Sequence, residues 1–109
     1  MKEVKKVWGK ELWVVNEEYC GKLLYVDAGS RSSYHYHLKK KETFHCIEGD
    51  VMLNIKGTEF LLEEPVTINP NTPHSFYGIT DAIILEVSSH HEDSDVVRIN
   101  ESSRMEVKV

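Results

Sequence analysis

Apolar and polar residues alternate with a period of two over most of the chain. On extended backbone that period sends successive side chains to opposite faces, so each segment has one face to bury. The pattern predicts strands at Glu11–Asn16, Lys22–Asp27, Ser33–His37, Glu42–Ile47, Val51–Lys56, Glu59–Leu62, Pro65–Ile68, His74–Gly78 and Ala82–Val87. Turn signals separate them: Asn16-Glu17-Glu18, Ala28-Gly29-Ser30, Glu48-Gly49-Asp50 and Asn69-Pro70-Asn71-Thr72-Pro73. Gly57-Thr58 reads as a two-residue hairpin turn. No window carries the 3.6-residue apolar period of a helix. Short strands with turn signals about every 8–12 residues predict an all-β sandwich or barrel. The polar stretch from Ser88 onward is expected to cover a barrel edge or a dimer partner.

Length and composition narrow the picture. A chain of 109 residues makes one domain. Its barrel core is expected at about residues 20–88, with an N-terminal arm at 1–19 and a polar tail at 89–109. Hydrophobic residues at 40% suffice for a core and argue against disorder. No apolar run approaches the roughly 18 residues of a membrane span. The opening Met1-Lys2-Glu3-Val4-Lys5-Lys6 has no apolar stretch of the secretory kind, so a cytoplasmic location is expected. Cys20 and Cys46 form no C-x-x-C motif and are expected as free thiols, with Cys46 a small buried hydrophobe. A net charge of −5 argues against a nucleic-acid partner; a small molecule is expected instead.

The candidate chemistry lies in six histidines. His35 and His37 are two apart, which on a strand places both imidazoles on one face, about 7 Å apart. Glu42 follows across a short loop, and His74 comes directly after a proline-containing turn. Brought together, these residues make a site of three imidazoles and one carboxylate. Such a set suits Fe(II), Mn(II), Zn(II), Ni(II) or Cu(II) without choosing among them. His45 is out of phase with Glu42, Phe44 and Cys46 and is expected on the other face of the sheet. His90 and His91 sit in the run His90-His91-Glu92-Asp93-Ser94-Asp95, which reads as a solvated acidic loop in preference to a second metal site.

The spacing Gly29, five residues, His35-Tyr36-His37, four residues, Glu42, six residues, Gly49 resembles the first cupin motif, G-x5-H-x-H-x3-4-E-x6-G, at every fixed position. The second cupin motif, G-x5-P-x-G-x2-H-x3-N, is matched at His74. Asn71 stands where that motif has Gly, Asn69 where it has Pro, Glu63 at its first Gly and Gly78 at its last Asn. Asn tolerates a left-handed backbone nearly as Gly does, so the turn is preserved. The resemblance implies a cupin-type antiparallel β-barrel (a double-stranded β-helix or jelly roll). A divalent metal ion would sit at its mouth on His35, His37, Glu42 and His74.

The flanks resemble a narrower group. Val7-Trp8-Gly9-Lys10-Glu11 looks like the P-W-G-x-[YE] opening of the cupin domain of type II mannose-6-phosphate isomerases and mannose-1-phosphate guanylyltransferases. Leu85-Glu86-Val87-Ser88, Glu92–Ile99 and Arg104 resemble the ending of the same domain. Val7 replaces the usual Pro, and His35 stands where the group often has Gln. This likeness implies sugar or sugar-phosphate chemistry. Aldose–ketose isomerisation needs a base, a Lewis acid and a cation for any phosphate. Glu86 is the candidate base: in phase with Ala82 and Ile84, it either points into the pocket or stands as an exposed rim carboxylate. Arg98 is the candidate cation, with Arg31 as another. The run Lys39-Lys40-Lys41 beside the metal loop is a further candidate clamp, with a solvated turn as the favoured reading. Two other readings use the same barrel: a metal-dependent dioxygenase, and a non-catalytic carbohydrate-binding or sensor protein. Trp8, Trp13 and the N-terminal strand are candidates to add to a partner's sheet, and a homodimer is the expected assembly.

Overall fold

The computed structural model describes residues 1–104. It is built almost wholly of strands in two antiparallel sheets, with one short 3-10 turn at Asp93–Asp95. The first sheet contains β1 (Lys2–Lys6), β2 (Gly9–Asn16), β3 (Tyr19–Val26), β6 (Glu42–Glu48), β9 (Val66–Ile68) and β11 (Ala82–Ser89), in the order β1-β2-β3-β11-β6-β9. The second contains β4 (Ser30–Arg31), β5 (Tyr34–His37), β7 (Val51–Ile55), β8 (Thr58–Leu61), β10 (His74–Gly78), β12 (Val96–Asn100) and β13 (Ser103–Arg104). Its path runs β12-β5-β10-β4-β13, and β7 joins β10 to β8. Every pairing is antiparallel. No helix of the described residues is long and apolar enough to cross a membrane.

The alternation that predicts the strands also fills the barrel, with a change of character along each strand. On β3 the inward residues run Cys20, Lys22, Leu24, Val26; on β11 they run Ala82, Ile84, Glu86, Ser88. Because the two strands are antiparallel, Leu24 pairs with Ile84 and Lys22 with Glu86. Apolar ends therefore meet at one half of the barrel and polar ends at the other. The apolar half holds Leu24, Val26, Phe44, Leu53, Phe76 and Ile84 in one buried cluster. The polar half is where the histidines gather.

Both glycines that bracket the first motif have left-handed backbone, φ 78° at Gly29 and 81° at Gly49. At Gly49 an added Cβ would lie 2.2 Å from the Asp81 carbonyl oxygen, so only glycine fits. Asn71 has φ 62°, as the turn before His74 requires. The hairpin turn is displaced by one residue from its expected place. Ile55 pairs with Thr58, so Lys56 (φ 53°) and Gly57 (φ 87°) form it. Two positive φ values in succession match the twist of the flanking strands.

Several surface assignments change. Trp8, expected to be free for a partner's sheet, is 5% exposed and packs edge-on against Phe76, ring centres 4.9 Å apart. Strand β2 lies between β1 and β3 of its own chain, with β1 as the outer strand of the sheet. The tail takes one of its two expected roles and covers edges of the barrel, β12 against β5 and β13 against β4. Both cysteines are free; Cys46 is half-buried rather than fully buried, its thiol donating to the carbonyls of Glu48 and Gly49.

Candidate metal centre

Strands β5, β10 and β6 deliver the site. His74 pairs directly with His35 across β10 and β5, and His37 lies two residues along β5 on the same face. Ring centres are 4.6 Å apart for His35–His74, 5.1 Å for His35–His37 and 5.8 Å for His37–His74. One ring nitrogen from each lies within 4.8 Å of the others, close enough for small side-chain adjustments to bring all three onto a single ion. Glu42, at the start of β6, reaches the same point. Its Oε2 is 3.1 Å from His37 Nε2, and its Oε1 is 3.3 Å from His74 Nε2.

The surrounding backbone sets which nitrogens face inward. His35 Nδ1 lies 2.8 Å from the Ser33 carbonyl, and His74 Nδ1 lies 2.8 Å from the Thr72 carbonyl. A carbonyl can only accept, so each Nδ1 carries the proton and each Nε2 presents a lone pair to the cavity. This is how metal-binding histidines are ordinarily oriented. It leaves His74 Nε2 facing a Glu42 oxygen, acceptor against acceptor, and Glu42 Oε2 and His74 Nε2 are both buried without a hydrogen bond. Only a cation, a proton or a metal ion, relieves such a contact. The donor set therefore fits a divalent metal: three imidazole nitrogens with a carboxylate beside them. Its chemistry does not select among zinc, iron, manganese and nickel.

Electrostatics prepare the ligands. His35 is pushed down to about 3, first by burial and then by His74 and His37, so it is neutral near pH 7. Burial raises the Glu42 carboxyl, but contacts with His37 and His74 and the charge of Lys40 outweigh it and hold the group well below the usual carboxylate range.

A second group of charges continues from this cluster. Glu86 points inward and is 4% exposed, which decides its orientation in favour of the pocket. Its Oε2 accepts from Ser88 Oγ at 3.3 Å and pairs with Lys40 Nζ at 2.8 Å. Lys40 corrects the reading of the lysine run as a solvated turn. Lys39 and Lys41 are exposed, but Lys40 is 3% exposed, and its ammonium lies 3.6 Å from Glu42 Oε2. Burial opposes its charge, yet Glu86 and Glu42 more than compensate and raise its pKa.

The acidic tail is likewise not simply solvated. His90 and Asp93 are exposed, but His91 is half-buried, edge-on to Trp13, with Nδ1 3.1 Å from Lys40 Nζ. Burial and the charges of Lys40 and Lys22 hold His91 down to about 4. The neutral ring thus accepts from Lys40 and donates through Nε2 to Asp93 at 2.9 Å. Asp95 is buried and accepts the backbone N–H groups of Lys39 (2.8 Å) and Lys40 (3.0 Å). Lys22, also on the cleft wall, is buried under Trp13 and 3.3 Å from Glu11.

Part of this network lines one cleft of about 660 Å³, a volume that includes its solvent-open mouth. His35, His37, Glu42, Lys40 and Glu86 form its inner wall, and Arg98 lines it from β12 with an exposed side chain. Arg98 has no ion-pair partner among the described residues. Arg31 lies elsewhere, over the ring of Tyr77, and His45 is on the outer face.

No protein-family model matches the chain, and no curated protein matches it. Solved structures do. KdgF from Halomonas sp. superposes with a TM-score of 0.72 at 15% identity, covering 78% of this chain and 81% of that one. Pac13, described as a nucleoside dehydratase, gives 0.76 at 12% identity, covering 92% and 85%. CapF from Staphylococcus aureus, a capsular polysaccharide assembling protein, gives 0.75 at 15% identity, covering 97% of this chain but 32% of its own. All three are cupin-fold proteins. At such identities the likeness speaks for architecture alone, and by architecture this chain is a cupin-type antiparallel β-barrel.

Proposed function

We propose that the protein is a divalent-metal-dependent isomerase of a sugar or sugar phosphate. The observation that carries this reading is Glu86, a carboxylate buried in the wall of the cleft that His35, His37 and Glu42 also line. Aldose–ketose exchange needs a base that takes a proton from one carbon and returns it to its neighbour. Glu86 Oε2 is engaged by Lys40 and Ser88, whereas Oε1 has no partner among the described residues and is the oxygen left to receive that proton. A divalent ion held by His35, His37, His74 and Glu42 would supply Lewis-acid stabilisation of the enediolate oxygens. Arg98 is the cation placed to meet a phosphate. The neighbours CapF and Pac13 carry names from polysaccharide and nucleoside chemistry, which supports a carbohydrate-like substrate.

The test is proton exchange at C2 of mannose and mannose 6-phosphate in D2O, followed by NMR with protein saturated in turn with Zn, Mn, Ni and Fe(II). Exchange is expected with at least one metal, and Glu86→Gln at saturating metal should slow it at least about 100-fold. Arg98→Ala should raise KM for the phosphorylated sugar while leaving kcat near wild type. Oxygen consumption with Fe(II) and no exchange would replace this reading by a dioxygenase. Sugar binding without turnover under every metal would leave a carbohydrate-binding barrel.

A further inference from the structure

Lys40 is buried among charged and polar partners from three parts of the chain. An ammonium has three N–H donors. One meets Glu86 Oε2 at 2.8 Å and one His91 Nδ1 at 3.1 Å, while the group faces Glu42 Oε2 at 3.6 Å. Its backbone N–H is bound by the buried carboxylate of Asp95, so the residue is clamped from both ends by the tail. Lys40 is therefore held chiefly by protein partners, its remaining side turned toward Glu42. This places a fixed positive charge against Glu42, the carboxylate beside the three histidines.

We infer that Lys40 is a positioning residue that sets the metal affinity of the centre, its charge opposing that of the ion across Glu42 while anchoring Glu86. This rests on the metal-centre reading and not on the isomerase reaction. Charges a few ångströms apart in a partly desolvated site interact strongly enough to move an affinity by a factor of ten or more. The sign is therefore diagnostic. Removing the lysine charge strengthens metal binding, removing the Glu86 charge weakens it, and removing both nearly cancels. A merely structural role weakens binding in every case.

The experiment is calorimetric titration of metal-stripped protein with Zn(II), for wild type, Lys40→Met, Glu86→Gln and the double variant. Lys40→Met should bind at least about tenfold more tightly and Glu86→Gln about tenfold more weakly. The double variant should fall within about threefold of wild type. Thermal melting of each metal-free protein checks that it is folded. Lys40→Met leaves Glu86 buried without its partner and is the variant at risk of unfolding. In that event the double variant must still bind more tightly than Glu86→Gln. Weaker binding by Lys40→Met in a folded protein, or a double variant no tighter than Glu86→Gln, overturns the inference. Equal affinity across the set overturns it while leaving the metal centre standing. Absence of Zn(II) binding by wild type overturns both.

Discussion

His35 carries a consequence of its own. The folded chain refuses it a proton until about pH 3, whereas an ordinary histidine accepts one near 6.5. Between those values the unfolded chain binds more protons, so stability of the metal-free protein must fall as pH drops from 6.5 toward 3. His91, held to about 4, adds to the same slope, as does Glu42 at the acidic end. Thermal melting of metal-stripped protein at pH 7, 5.5 and 4 should show Tm declining, and His35→Gln should flatten the decline. An unchanged slope in that variant would contradict the assignment. The residues of this centre divide by how visible they were. His35, His37, Glu42 and His74 stand out because strand periodicity puts two on one face and the motif spacing places the others. Lys40 hides between two lysines on a loop, where no period tells an inward side chain from an outward one. His91 and Asp95 reach the site only through a long-range return of the chain, which leaves no local signal.

Among the elements, the turn before β10 shows how a departure from a motif can keep its physics. Asn71 replaces a glycine, holds φ 62°, and donates its N–H to the His37 carbonyl at 2.7 Å, tying the turn to the ligand strand. A β-branched residue there should cost about 1–2 kcal/mol, while glycine should be nearly neutral. Denaturant unfolding of Asn71→Val and Asn71→Gly checks this, and equal midpoints for the two would refute it. The strands themselves were legible for the same reason that the barrel forms: alternation is both the signal and the packing. The short strands β1, β4, β12 and β13 were not foreseen; β4 and β13 have two residues each, too few for an alternating pattern to show. The orientation of Glu86 could not be settled by phase alone. It follows from the inward row of β11, which turns from Ala82 and Ile84 to Glu86 and Ser88 as it leaves the apolar half.

For the whole molecule, the tail is the decisive addition. Residues after Ser89 supply β12 beside the ligand strand β5, the Asp95 bonds to Lys39 and Lys40, and His91 against Lys40. Deleting residues 90–109 should cost at least about 2 kcal/mol and lower Tm by roughly 10 °C. It should also loosen Lys40. A truncated protein that melts cooperatively at the wild-type Tm would show the tail to be dispensable. The pairing of β12 with β5 also orders events during synthesis. A nascent chain that has emerged as far as His74 already holds every proposed ligand. It still lacks Glu86 on β11, Asp95, and the strand that closes β5, with Arg98 set opposite His35. The proposed ligand set and the finished pocket are thus completed at different points along the chain. An ion taken up early would meet the four ligands before the Lys40 charge had been clamped beside them.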